Sequence, residues 1–115
     1  MSELLKLTIP ATIYRSHAER DWSLVGAAVL SDELGELTVQ QYYEPVTFHI
    51  PGGNYTPDFL HVCESGLGII VEVKDGRYLQ SYRDSRAKLR ACAEYYPFFI
   101  YVMVNRKEGW KVDRL

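Results

Sequence analysis

The sequence predicts an α/β domain in which a mixed β-sheet is flanked by helices. Three observations support this class: two long segments of helical character, a run of β-rich segments between them, and a nearly all-apolar segment after the second helix. Strands placed between helices in this way are typical of a sheet with helices packed against it. The predicted order is α-β-β-β-α-β with a possible closing strand, and the 115 residues suit one domain covering 1–115.

The first half of the chain predicts one helix followed by a β-rich stretch. The helix begins near Ser16, a good N-cap with Glu19 as its capping-box partner, and it ends near Gly35. Its apolar stripe at helical spacing consists of Ala18, Trp22, Val25 and Val29. The stretch LTVQQYYEPVTFHI comes next, and Pro45 within it predicts an edge strand or a bend.

A hairpin is predicted after the turn PGGN at 51–54. Residues 55–62 and 67–74 are two strands, joined by ESG at 64–66. His61 alternates with apolar neighbours, which predicts an exposed strand position.

The remaining segments predict a second helix and two strands. The helix covers 78–96 and ends before Pro97, and FFIYVMV at 98–104 is apolar enough for a strand covered on both faces. The connection from 67–74 through this helix to 98–104 predicts that the two strands are parallel. The tail GWKVDRL predicts a short final strand.

Composition limits the class of protein. A hydrophobic content of 47% and a charged content of 24% fit a soluble globular protein. No apolar run approaches the roughly 20 residues that a membrane helix needs, and the N-terminus MSELLKLTIP is a poor secretion signal. Cys63 and Cys92 show no metal-ligand spacing. We therefore expect a cytoplasmic protein, away from membranes, with two reduced thiols that serve packing.

Charge is distributed unevenly along the chain. Residues 1–72 hold three Lys/Arg and ten Asp/Glu, whereas residues 73–115 hold ten Lys/Arg and five Asp/Glu. Basic residues cluster in RYLQSYRDSRAKLR, namely Arg77, Arg83, Arg86, Lys88 and Arg90. A cationic segment beside an acidic one suits a protein that grips phosphates and holds a cation. A solvated helix face is the alternative interpretation.

The predicted hairpin brings charged residues together. If its turn is centred on Ser65, antiparallel partners have residue numbers that add up to 130, which places Asp58 opposite Glu72. Because side chains alternate between faces, Lys74 lies on the same side as Glu72. Two facing carboxylates repel each other unless a proton or cation lies between them. The pattern predicts a Mg²⁺ site, since Mg²⁺ prefers carboxylate oxygens.

Two short motifs support a resemblance to a known superfamily. Pro57-Asp58, followed after a hairpin by Glu72-Val73-Lys74, resembles the PD-(D/E)xK nucleases. The context YYEPVTFHI, YTPDF and IVEVKDG looks like the endonuclease subunit of heteromeric transposases and like small phage resolvase-type nucleases. The resemblance covers roughly residues 14–104 and implies a restriction-endonuclease-like core.

The resemblance also implies roles for individual residues. Asp58 and Glu72 would be metal ligands, the carbonyl of Val73 would often be a third, and Lys74 would be catalytic. Many members carry a further Glu on the first helix, and Glu19 is the best match, although it could merely cap Ser16. Glu44 is the rival acid.

The activity implied is a Mg²⁺-dependent DNA endonuclease, with Mn²⁺ able to substitute. Water would hydrolyse the phosphodiester and leave 5′-phosphate and 3′-hydroxyl ends. The expected DNA contacts on the second helix are Arg77, Arg83, Arg86 and Lys88. The small size suggests a homodimer or a larger nucleoprotein complex. The alternative is a catalytically silent nuclease-fold module that binds DNA or assembles within a phage or transposition complex.

Overall fold

A computed structural model describes residues 13–76, 79–107 and 109–115. Within them the chain forms a five-stranded mixed sheet, a two-stranded sheet and two helices, which confirms the predicted α/β class. The elements are α1 (His17–Leu34), β1 (Thr38–Tyr43), β2 (Phe48–Ile50), β3 (Gly53–Tyr55), β4 (Phe59–Cys63), β5 (Gly68–Lys74), α2 (Leu79–Tyr95), β6 (Phe99–Asn105) and β7 (Lys111–Arg114). Neither described helix is long and apolar enough to cross a membrane.

The large sheet has the strand order β1-β4-β5-β6-β7. β5 and β6 are parallel, as the helical connection between them predicts, and the other neighbours are antiparallel. β7 is the predicted closing strand. The central position of β5 explains its sequence, because a strand with a neighbour on each side and a helix over each face is apolar almost throughout.

The register of the β4–β5 hairpin agrees with the prediction. Phe59 pairs with Val71 and His61 with Ile69, so partners add up to 130. The ladder ends at the Phe59 pair, and Asp58 lies one residue before β4 begins. The hairpin therefore carries Asp58 at its open end, beside the end of β5.

Prolines interrupt two of the predicted β-rich segments, and the edge strand or bend predicted from Pro45 is confirmed. LTVQQYYEPVTFHI forms β1 and β2 with a break at 44–47 around Pro45. The predicted strand 55–62 is wrong as a single strand, since Tyr55 ends β3 and β4 starts only at Phe59. Pro57 lies in that gap, where a residue without an N–H cannot donate to a ladder. β2 and β3 instead pair with each other in a separate hairpin.

α1 has the predicted ends but a different buried stripe. The Ser16 side chain accepts the N–H of Glu19, and Gly35 ends the helix in the left-handed region at φ 69°. Val25, predicted to be in the stripe, is 38% exposed, whereas Gly26 is buried. A Cβ at Gly26 would lie 2.5 Å from Cε2 of Trp22, so the missing side chain makes room for the indole.

The large sheet separates two apolar cores. The core on the α1 face includes Trp22, Phe59, Val71 and Val102. The core on the α2 face includes Ile70, Leu89, Tyr101 and Met103. Strand β6 contributes to both, which fits the prediction that its segment is covered on both faces.

His61 is fully buried under α1, contrary to its predicted exposure. The Trp22 indole N–H donates to Nε2 of His61 at 3.0 Å. Nδ1 of His61 is therefore the protonated nitrogen, and it donates to the Thr38 hydroxyl oxygen at 3.1 Å. Burial lowers the pKa of His61 to about 4, so the ring is neutral in the folded protein at neutral pH.

We expect His61→Gln to flatten the acid side of the stability profile. An unfolded chain binds a proton at His61 below a pH of about 6.5, whereas the folded chain resists it until about 4. Acidification therefore favours unfolding, by about 2 kcal/mol between pH 7 and pH 5. Gln retains a donor and an acceptor but does not titrate. Urea unfolding at both pH values should show this difference between variant and wild type, and parallel profiles would contradict it.

Candidate active site

Four acidic side chains and one lysine meet where β4 begins and β5 ends. α1 contributes Glu19, the end of β1 contributes Glu44, and the hairpin contributes Asp58, Glu72 and Lys74. We call the four acids, Glu19, Glu44, Asp58 and Glu72, the acidic centre. All sequence-predicted catalytic residues are thus at this end of the sheet.

Asp58 is held by the backbone of both neighbouring strands. Its Oδ2 accepts the N–H of Val73 at 2.8 Å. Its own carbonyl accepts the N–H of Glu44, also at 2.8 Å. These bonds extend the β1–β4 and β4–β5 pairings past the last ladder residues, and they fix Asp58 although it lies outside a strand.

Glu19 takes part in the helix cap and also belongs to the acidic centre. It is 9% exposed, and its Oε2 accepts the Ser16 hydroxyl at 2.7 Å, so it takes part in the cap. Its Oε1 accepts the Tyr43 hydroxyl at 2.7 Å. Oxygen atoms of Glu19, Glu44 and Asp58 all lie within 4.8 Å of one another. Capping therefore places the Glu19 carboxylate beside Asp58.

Glu44 belongs to the same cluster, so the structure brings both rival acids to Asp58. Its backbone has φ 48°, the left-handed region that non-glycine residues rarely adopt. Arg15 Nε lies 3.1 Å from Oε2 of Glu44. The break after β1 thus turns a carboxylate towards Asp58 and brings an exposed arginine with it.

Glu72 and Lys74 lie together on the α2 face of β5, as their spacing predicts. Lys74 Nζ is 3.5 Å from Oε2 of Glu72 and donates to the Ser81 hydroxyl oxygen at 3.1 Å. The Tyr55 hydroxyl donates to Oε1 of Glu72. Glu72 is only 9% exposed, so Lys74 and Tyr55, and not solvent, are the main groups that stabilise its charge.

Burial and mutual repulsion dominate the electrostatics of the acidic centre. Burial, and then the neighbouring Glu72, raise the pKa of Asp58 to about 8, against the opposing effect of the Val73 N–H. Burial also raises the pKa of Glu72, to which Glu19 adds a smaller effect. With a pKa of about 8, Asp58 holds its proton at neutral pH, and a cation beside it would favour the ionised form.

The predicted DNA-contacting residues fall into different environments. Arg77 lies outside the described residues. Arg83 and Lys88 are exposed on α2, and Lys88 Nζ is 5.9 Å from the centre of the Tyr55 ring. Arg86 instead forms an ion pair with Asp113 on β7. Their contact with DNA stays a prediction, and Lys88 is the one placed beside the acidic centre.

A scan against protein-family models and a search of curated proteins both find no match to this chain.

The hydrogen bonds from Tyr43 and Tyr55 to the acidic centre are contacts that sequence reasoning missed. Each tyrosine donates its hydroxyl to a carboxylate of the acidic centre. The sequence places Tyr43 directly before Glu44 and Tyr55 three residues before Asp58. That proximity is a signal, but aromatic residues in strands usually serve packing.

We expect Asp58→Asn to stabilise the metal-free protein at neutral pH. In the unfolded chain Asp58 ionises near pH 4, but in the folded chain only near 8. The wild type therefore loses stability as pH rises between these values, by roughly 2 kcal/mol from pH 5 to pH 7. Asn still accepts the Val73 N–H. Urea unfolding in EDTA measures the gain, with the exposed Asp32→Asn as a matched control. A destabilised Asp58→Asn would contradict this account.

Proposed function

We propose that the chain is a metal-dependent endodeoxyribonuclease of the PD-(D/E)xK type, with a restriction-endonuclease-like core. The supporting observation is the cluster of Glu19, Glu44 and Asp58 oxygens within 4.8 Å of one another. Glu72 and Lys74 stand beside it at the end of the same hairpin. Two buried acids, Glu19 and Glu72, beside two partly buried ones, Glu44 and Asp58, are costly for stability alone, so a role in binding explains them better than packing does.

The donor set fits a hard divalent cation. It consists of carboxylate oxygens, which Mg²⁺ and Mn²⁺ prefer, and it contains no thiolate or imidazole. Asp58, Glu72 and Glu19 would hold Mg²⁺, joined by Glu44 and the carbonyl of Val73. When bound, the ion supplies a water of lowered pKa and positive charge beside the phosphate.

Lys74 is positioned to orient a reactant. Its ammonium has three N–H donors, and two of them are directed to Glu72 and Ser81. A cavity of about 220 Å³ adjoins it, lined in part by Ser16, Val73 and Gly76. The remaining donor can bind a phosphate oxygen or the attacking water in that space.

The proposed reaction is hydrolysis of one phosphodiester bond. A water oxygen bonds to phosphorus, and the bond from phosphorus to the 3′ oxygen breaks. The water gives up one proton and the leaving 3′ oxygen takes one up, which yields 5′-phosphate and 3′-hydroxyl ends. Lys74 offsets the negative charge that builds on the phosphate.

Exposed basic side chains on both helices support DNA as the substrate. Lys88 and Arg83 are exposed on α2. At the start of α1, a cavity of about 380 Å³ is lined in part by Arg15 and Arg20. These groups would contact backbone phosphates without selecting sequence. A homodimer or a larger nucleoprotein complex would supply the second cut and the choice of site.

We expect the purified protein to cut supercoiled, linear or branched DNA with Mg²⁺ or Mn²⁺, and EDTA to stop it. Asp58→Asn and Lys74→Met should each lower the rate by about 1000-fold, equivalent to roughly 4 kcal/mol of activation free energy. Asp58→Asn is expected to be at least as stable as the wild type, so its loss of cutting would not reflect unfolding.

Asp32→Asn is the matched control and should retain full activity. Unchanged cutting by both site variants would refute the assignment of the site. A wild type that neither cuts DNA nor binds Mn²⁺ would instead support the catalytically silent module.

Both rival acids should contribute to metal affinity. We expect Glu19→Gln and Glu44→Gln each to weaken Mn²⁺ binding by about tenfold, or about 1.4 kcal/mol, because each removes one charge from the cluster. Calorimetric titration without DNA measures this, with the exposed Glu33→Gln as control. If Glu44→Gln binds Mn²⁺ as tightly as the wild type, Glu44 is not a metal ligand and its role is the ion pair with Arg15.

A further inference from the structure

Two tyrosine hydroxyls donate to two different carboxylates of the acidic centre. Tyr55 donates to Oε1 of Glu72 from the α2 side of the sheet, and its side chain is 8% exposed. Tyr43 donates to Oε1 of Glu19 from the α1 side, at 2.7 Å. The Tyr43 oxygen also accepts the backbone N–H of Arg15 at 3.1 Å, which fixes its orientation. Each tyrosine therefore fixes one carboxylate of the acidic centre, and the tyrosines themselves lie at its edge.

The small sheet explains how Tyr55 reaches Glu72. Tyr55 pairs with Phe48 across the β2–β3 hairpin. Phe48 in turn packs against Tyr96 at 4.9 Å and Tyr101 at 6.2 Å between ring centres. The hairpin is thus anchored on α2 and β6, and the anchor directs the Tyr55 hydroxyl at the end of β5.

The partners of the two tyrosines are not needed for packing alone. A buried phenol needs one acceptor, and a backbone carbonyl suffices, as Tyr101 shows by donating to the carbonyls of Cys92 and Tyr96. Tyr43 and Tyr55 instead donate to ionisable groups. Each such bond stabilises the charged carboxylate and fixes the plane of its two oxygens.

We propose that Tyr43 and Tyr55 are positioning residues, which orient Glu19 and Glu72 so that their free lone pairs converge on one divalent cation. This rests on the proposed function, since it assumes that the acidic centre binds Mg²⁺ or Mn²⁺. Groups that hydrogen-bond to metal ligands commonly contribute tenfold to a hundredfold to metal affinity. The two tyrosines act from opposite faces of the sheet, so each substitution should lower the metal affinity independently of the other.

The experiment is calorimetric titration of Mn²⁺ into the full chain without DNA. We expect Tyr55→Phe and Tyr43→Phe each to weaken binding about tenfold, and the double variant about a hundredfold. Tyr101→Phe is the matched buried control, because it loses a buried hydroxyl that donates to the backbone carbonyls of Cys92 and Tyr96. Tyr42→Phe is the exposed control from the same strand as Tyr43. Both controls should bind Mn²⁺ as the wild type does, even where Tyr101→Phe lowers the melting temperature.

A double-mutant cycle separates positioning from general structure. In a Glu72→Gln background, Tyr55→Phe should no longer change Mn²⁺ affinity, because the carboxylate it orients is gone. An undiminished effect in that background, or Phe variants that bind like the wild type, would overturn the proposal while the proposed function stands. A wild type that binds no Mn²⁺ would overturn both, and that outcome is distinct from the other two.

Discussion

Repulsion among the buried carboxylates at the open end of the β4–β5 hairpin is the constraint on which the surrounding structure depends. Burial raises the pKa of both Asp58 and Glu72. A neighbouring acid raises each pKa further, Glu72 for Asp58 and Glu19 for Glu72. Neutral donors bond to single oxygen atoms of these carboxylates: the N–H of Val73 to Asp58, and the hydroxyl of Tyr55 to Glu72. Two cationic side chains, Lys74 beside Glu72 and Arg15 beside Glu44, offset part of the negative charge.

The part of this centre that lies within the hairpin follows from the sequence. A short turn fixes which residues face each other, and the period of two fixes which side they occupy. Those two rules suffice to place Asp58 beside the end of β5 and Lys74 beside Glu72. The ends of α1 are equally local, because Ser16 and Gly35 act on backbone groups within one turn.

The other members depend on contacts between distant segments, which local patterns do not encode. Glu44 reaches Asp58 only because β1 pairs with β4 and then turns at Pro45. Tyr55 reaches Glu72 only because β3 leaves the large sheet. His61 fits an exposed strand position by its alternation, yet it is buried because the neighbouring strand face is covered by α1. In each case the deciding fact is which element packs on which face.

The position of α1 along the sheet connects the buried core with the acidic centre. Trp22 is three residues after Glu19, so the two side chains lie on the same side of the helix. The indole is fixed by its bond to His61 and by the space that Gly26 leaves. A Cβ at Gly26 would come within 2.5 Å of the indole, so Trp22 could not keep this position. One side of α1 therefore both anchors the helix in the core through Trp22 and carries the Glu19 carboxylate to the acidic centre.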